Sequence, residues 1–169
     1  MHPLAAVRAR AYLEDCVRYL GLAAVLVPFG MVVQRGGTPS RVAVVGLSAL
    51  LPVAATVVAS VQESHLGTPG HRRAGLTVLD DRGRAPGLAR ALLRNTVKIG
   101  SPWQLGHLVG VGAAYGGFER RDPWTLIPTV LVYPWFAAVS VSVATGSGRA
   151  LHDRVAGTHV TSGRAGPTR

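Results

Sequence analysis

Residues 123–148 carry no charged side chain. A helix rising 1.5 Å per residue crosses the roughly 30 Å of bilayer hydrocarbon in about 20 residues, so this stretch predicts a transmembrane helix over 123–145. A second charge-free run, 42–61, predicts another. An apolar run from Val17 to Val33, extended back to Tyr12, predicts a first span over 12–33, with Arg18 at its charged inner end snorkelling to the interface. The run 101–118 is shorter, rich in glycine and interrupted by Gln104 and His107. Its spacings Gly106-x-x-x-Gly110 and Gly112-x-x-x-Gly116 suit a helix packed closely among others, and it predicts the remaining span. Pro128 and Pro134 can kink the last helix.

The segments between these runs are polar. Residues 34–41 concentrate Gly, Pro and Ser and read as a turn, and 119–123 as another. Residues 62–100 form a long connection with structure of its own, a short β-prone run at 75–80 followed by turn chemistry at Asp81-Arg82-Gly83. Across 86–99, Arg90, Arg94 and Lys98 repeat every four residues while leucines fill much of the rest, which predicts an amphipathic interfacial helix with these three cations facing lipid phosphates. The alternative is a basic face packed on other protein. The tail, 149–169, contains a second β-prone stretch at 157–161. A lone strand leaves its backbone groups unpaired, so a small cytoplasmic ribbon is expected, with 77 and 159 neighbours to within two residues.

Composition agrees with this pattern: 48% of residues are apolar, 15% are charged and mean hydropathy is positive at +0.28. The net charge of +10 could suggest nucleic acid, but the arginines lie between apolar runs and no nucleic-acid module is recognisable. Fourteen of the eighteen Lys and Arg fall in the N-terminus, the connection and the tail. By the positive-inside rule both termini are then cytoplasmic, which requires an even number of spans. Glu14 and Asp15 interrupt what would be the apolar region of a signal peptide, so the first span is expected to be retained. A single cysteine, Cys16, excludes an intramolecular disulfide.

Three segments together resemble the RDD family of small polytopic bacterial membrane proteins, named for one arginine and two aspartates. Arg8-x-x-Ala11, running on to Asp15, is similar to the family's motif at the start of the first helix. Gly67-Thr68-Pro69-Gly70-His71 through Gly75-Leu76-Thr77-Val78, with Leu92-Leu93-Arg94-Asn95 beyond it, is similar to the family's central motif. Asp153-Arg154-Val155-Ala156-Gly157-Thr158 resembles its last. Glu14 and His71 depart from the pattern, standing where an apolar residue and a lysine are usual. The resemblance covers nearly the whole chain. It implies a polytopic membrane protein, with transport suggested generally and cation/proton exchange for some members.

The residues that could carry chemistry are few. Asp15 beside an apolar helix either pairs structurally with an arginine or binds a proton or cation. Arg8, Arg94 and Asp153 fall at the same predicted boundary, where each aspartate should find an arginine, Arg94 with Asp153 in particular. His107 could titrate near neutrality or simply pack. Glu63 and the Asp80-Asp81 pair read as solvated. No hydrolase, nucleotide-loop or metalloprotease motif is present, and the other histidines lack metal-ligand spacing, so no catalytic residue, cofactor or metal is expected. The reading is one all-α domain, a bundle of four transmembrane helices in the bacterial cytoplasmic membrane, touching anionic lipid headgroups and able to form a homo-oligomer or join a larger complex. It favours a non-enzymatic scaffold or partner subunit, the alternative being a small oligomeric transporter exchanging sodium or potassium for protons.

Overall fold

The structure, a computed structural model, describes residues 2–34, 37 and 39–163, excluding the side chains at 26, 27, 29, 30, 33 and 34. Residues 35, 36 and 38 of the turn expected at 34–41, and the tail end at 164–169, lie outside the described residues. Among the described residues, seven α-helices and two strands follow in the order α1 (Ala5–Gln34), α2 (Arg41–His65), α3 (Pro69–Arg73), β1 (Leu76–Asp80), α4 (Leu88–Asn95), α5 (Ser101–Ala114), α6 (Pro123–Ala144), α7 (Leu151–Ala156) and β2 (Thr158–Ser162). A π turn at Thr96–Gly100 joins α4 to α5.

Helix starts follow local chemistry. Ser40, Thr68 and Asp122 accept backbone N–H bonds from Ala43, His71 and Trp124 at the starts of α2, α3 and α6, satisfying donors that the first turn leaves free. The first helix begins at Ala5, well before the apolar run, because its inward stripe is not purely apolar. Arg8, Ala11, Asp15 and Tyr19, spaced three or four apart, are its buried side. On α2 the buried stripe is Pro52, Ala55 and Thr56, Ala59 and Ser60, then Glu63.

Burial is inverted relative to a water-soluble protein. Among the largest fully buried side chains are Arg94, Glu63, Asn95, Asp15 and Asp153, whereas Val42 is 82% exposed, Trp124 76% and Val130 70%. Large apolar side chains facing outward around a charged interior suit lipid as the surrounding medium. Helices α2 and α6 are long and apolar enough to cross a membrane, and little of either is buried inside the protein. Helix α5 has 14 residues.

Only part of the glycine pattern on α5 brings helices together. A Cβ at Gly112 would collide with the Thr125 side chain on α6, while at Gly106 and Gly110 it would meet no atom within 4 Å. The close approach is therefore at the turn end of the α5–α6 pair.

Strands β1 and β2 form an antiparallel two-stranded sheet, with Thr77 opposite Thr161 and Leu79 opposite His159. Leu76, Val78 and Asp80 point inward from β1. The sheet returns the chain end to the connection and so fixes α7 beneath α4. Cysteines placed at 77 and 161, in a Cys16→Ser background, should crosslink under mild oxidation faster than a 77/159 pair, as read by a mobility shift on non-reducing gels.

Candidate functional site

Arg94 organises the interior. It projects from the last turn of α4 and is completely buried, donating from Nε to Asp153 Oδ1 of α7 at 2.9 Å and from Nη1 to Glu63 Oε1 of α2. A planar guanidinium can bridge two carboxylates from two helices in this way, where an ammonium would act as a single point charge. Asn95 donates to Glu63 Oε2 at 2.9 Å, and Lys98 Nζ stands 3.6 Å from Glu63 Oε1. On the other side, Arg8 of α1 donates to Asp153 Oδ2 at 2.6 Å and to the Gly148 carbonyl. Asp153 also accepts the Ala150 N–H at 3.0 Å, capping its own helix.

Asp15 forms a second node. Its Oδ1 accepts the Gly70 N–H at 2.7 Å and lies 3.7 Å from Arg18 Nη1. This contact needs glycine at 70, since a Cβ there would overlap the Ala11 carbonyl oxygen. One residue on, His71 shares a 2.7 Å hydrogen bond between its Nδ1 and Thr68 Oγ1 and lies 3.9 Å from Glu63. Helices α1, α2, α3, α4 and α7 thus meet at one buried set of charges.

Several sequence expectations need correction. Arg94 does not face lipid phosphates: it is the largest fully buried side chain among the described residues, and the Lys98 side chain is only 8% exposed. Of the three cations expected at the lipid surface, Arg90 alone is well exposed, and it is bonded to Asp80 at 3.0 Å. The basic period-four stripe turns inward because the carboxylates that neutralise it come from distant segments. Glu63 is not solvated but 2% exposed at the centre of the cluster. Asp80 is buried too, accepting the N–H groups of Arg82 and Arg84 as an Asx turn does, while Asp81 stays exposed and pairs with Arg149 at 2.8 Å. Asn95, His71 and His152 join the site without standing out in the sequence, and their positions inside or beside the RDD-like motifs are the available signal. His107 takes no part in the cluster's hydrogen bonds or ion pairs among the described residues.

These three motifs, distant in sequence, converge on one buried cluster, and a family model matches residues 3–157. The chain belongs to the RDD family. Comparison with curated proteins and with solved structures finds no match. The arginine and two aspartates of the RDD motifs are Arg8 and Asp153 in direct contact and Asp15 about two turns further along α1. Among the described residues of this RDD protein no group of three or more His, Cys, Asp or Glu side chains could hold a metal ion.

Electrostatics holds the charges fixed. Burial alone would raise the Asp153 carboxyl, but the guanidinium groups of Arg94 and Arg8 beside it hold it below the usual carboxylate range. Burial disfavours a charged Arg94 as well, yet Glu63 and Asp153 more than compensate and raise its pKa. Burial pushes His71 down to about 3 and His152 well below its ordinary value, so both imidazoles are neutral at pH 7. Because the unfolded chain takes up these protons near pH 6.5 and the folded chain does not, stability is full above that pH and falls as the pH drops below it. Each histidine contributes up to about 1.4 kcal/mol per pH unit. Asp153 adds a further loss below about pH 4, where the unfolded carboxyl protonates before the folded one. In mild detergent the apparent Tm should therefore fall between pH 7.5 and pH 5, and His71→Asn with His152→Asn should remove most of that fall.

Proposed function

We propose that this RDD protein is a four-pass protein of the bacterial cytoplasmic membrane, both termini cytoplasmic, acting as a non-enzymatic scaffold or partner subunit. Helices α2 and α6 supply two of the spans. Helix α1, and α5 extended by the π turn before it, supply the others, tilted or packed among neighbours. The observation that carries the scaffold reading is that Glu63 and Asp153 are each engaged by fixed donors on both oxygens, Glu63 by Arg94 and Asn95 and Asp153 by Arg94 and Arg8, while Asp15 accepts the Gly70 N–H at Oδ1 alone. A carboxylate that carries protons or cations has to take them up and let them go, and uptake by Glu63 or Asp153 would remove a charge that neutralises the buried Arg94.

Reconstitution in liposomes with an internal pH-sensitive dye tests this. Sodium or potassium gradients should move no more protons than in protein-free liposomes, and Asp15→Asn should change nothing. Cation-driven proton movement abolished by Asp15→Asn would replace the scaffold reading with cation/proton exchange. The orientation has its own test: a reporter active only in the cytoplasm should give signal when inserted into the 80–84 turn and none when inserted at 36–37.

A further inference from the structure

A cavity of about 340 Å³ lies between the N-terminal half of α1 and the C-terminal half of α6. That volume falls at the lower end of small-ligand sites, which run from about 300 to 1,000 Å³. The two ends of the cavity differ in chemistry. At the mouth stand the exposed Ala6 and Ala9 and the half-exposed Phe136, with Val139 and Val143 along the wall. At the closed end are the buried Arg8, His71, Arg94, Lys98 and His152. The mouth opens between α6, where Tyr133, Phe136 and Val141 are exposed, and α1, where the exposed Leu13 and Val17 follow the exposed Arg10 beside Ala9.

The closed end has unmet polar capacity. Both ring nitrogens of His152, which is 3% exposed, lack a hydrogen-bond partner among the described residues, as does Nη2 of the fully buried Arg94. Lys98 Nζ finds no described acceptor within hydrogen-bond range; it sits 3.6 Å from Glu63 Oε1 and 5.3 Å from the centroid of the Tyr12 ring. Three cations, Arg8, Arg94 and Lys98, face two carboxylates, Glu63 and Asp153, while Asp15 is matched by Arg18. Among the described residues one positive charge of the cluster is left over. Buried polar groups are ordinarily hydrogen-bonded and buried charges paired, so unsatisfied donors with a surplus cation at the end of an apolar tunnel call for an anion with oxygen acceptors.

We propose that this cavity binds an anionic amphiphile, a carboxylate or phosphate on an acyl chain, with the head against Lys98, Arg94 Nη2 and His152 and the chain running past Trp135 to the mouth. The head supplies acceptors and one negative charge. The chain replaces lipid along a wall that is otherwise apolar. This does not rest on the scaffold reading, since a bound amphiphile is compatible with a scaffold or a transporter.

Trp135 lines the cavity and provides the readout. The full chain in phosphatidylcholine nanodiscs would be titrated with ω-bromododecanoate, ω-bromododecanol and ω-bromododecyl trimethylammonium, following tryptophan quenching. The acid should quench saturably, at least about tenfold more tightly than the alcohol or the cation, as a charge-assisted head contact implies. Trp135→Phe should remove the saturable component and Trp124→Phe should retain it. Lys98→Met should weaken binding about tenfold or more. Ala9→Phe, at the exposed mouth where folding is not at stake, should block it without altering any charge. A brominated lysophosphatidate run beside the acid names the natural head by whichever binds more tightly. Equal quenching by acid, alcohol and cation would overturn the proposal, as would saturable quenching unchanged in Ala9→Phe.

Discussion

Replacing Arg94 with Met should be the most damaging single change in the chain. The substitution keeps much of the side chain's volume but leaves Glu63 and Asp153 facing each other's neighbourhood without the cation that bridges them. Breaking one partner out of a buried pair costs about 3–5 kcal/mol because the remaining charge stays desolvated. In a protein of this size that corresponds to a Tm lower by about 10 °C or more, measured in detergent by fluorescence-detected size exclusion after heating. Arg94→Lys should rescue little, since an ammonium cannot reach two carboxylates in the bridging geometry. Adding Glu63→Gln to Arg94→Met should recover part of the loss by removing one stranded charge. A Tm for Arg94→Met equal to that of the wild type would mean that the cluster is not buried.

The second large effect is expected at Gly70, where the clash is with backbone and cannot be relieved by a side-chain rotation. A Cβ there would overlap the Ala11 carbonyl oxygen and stand 2.9 Å from Asp15 Cγ. Helix α3 would have to lift from α1, taking with it the N–H that Asp15 accepts at 2.7 Å. Overpacking together with a buried carboxylate that has lost a donor should cost about 3 kcal/mol or more in Gly70→Ala. Gly87→Ala is the matched control, since a Cβ at Gly87 meets no atom within 4 Å and its φ of −64° suits any residue. As the N-cap of α4 it should cost only about 1 kcal/mol or less, far below Gly70→Ala. Equal losses in the two variants would point to a general sensitivity of the connection rather than to the α1–α3 contact.

What the sequence made legible follows from which forces are local. The apolar runs at 42–61 and 123–145 define helices by length and absence of charge, and α2 and α6 occupy them. The β-prone stretches had unpaired backbone groups to satisfy, and they pair with each other, Thr77 meeting Thr161. The direction in which charged residues face was not legible in the same way. A helix with arginine or lysine every four residues has the same pattern whether that stripe meets solvent, phosphate or buried carboxylates. Only the arrival of Glu63 from α2 and Asp153 from α7 turns Arg94 and Lys98 inward. Glu63 itself sits two residues from the end of α2, and whether such a position is wet depends on what packs beneath it. Here α4 and α3 do. The same limit applies to Gly106 and Gly110, whose spacing permits a close helix contact that the packing does not make.

The clamp between α1 and α7 is measured most directly by a double-mutant cycle on Arg8 and Asp153, whose guanidinium and carboxylate lie 2.6 Å apart. Arg8→Met, Asp153→Asn and the double variant would be compared with the wild type by denaturant titration in micelles. If the cluster is one fixed electrostatic unit, the double variant should be more stable than the sum of the single losses predicts, by about 1 kcal/mol or more. Losses that add to within about 0.5 kcal/mol would contradict it, because residues in contact within one network do not act independently.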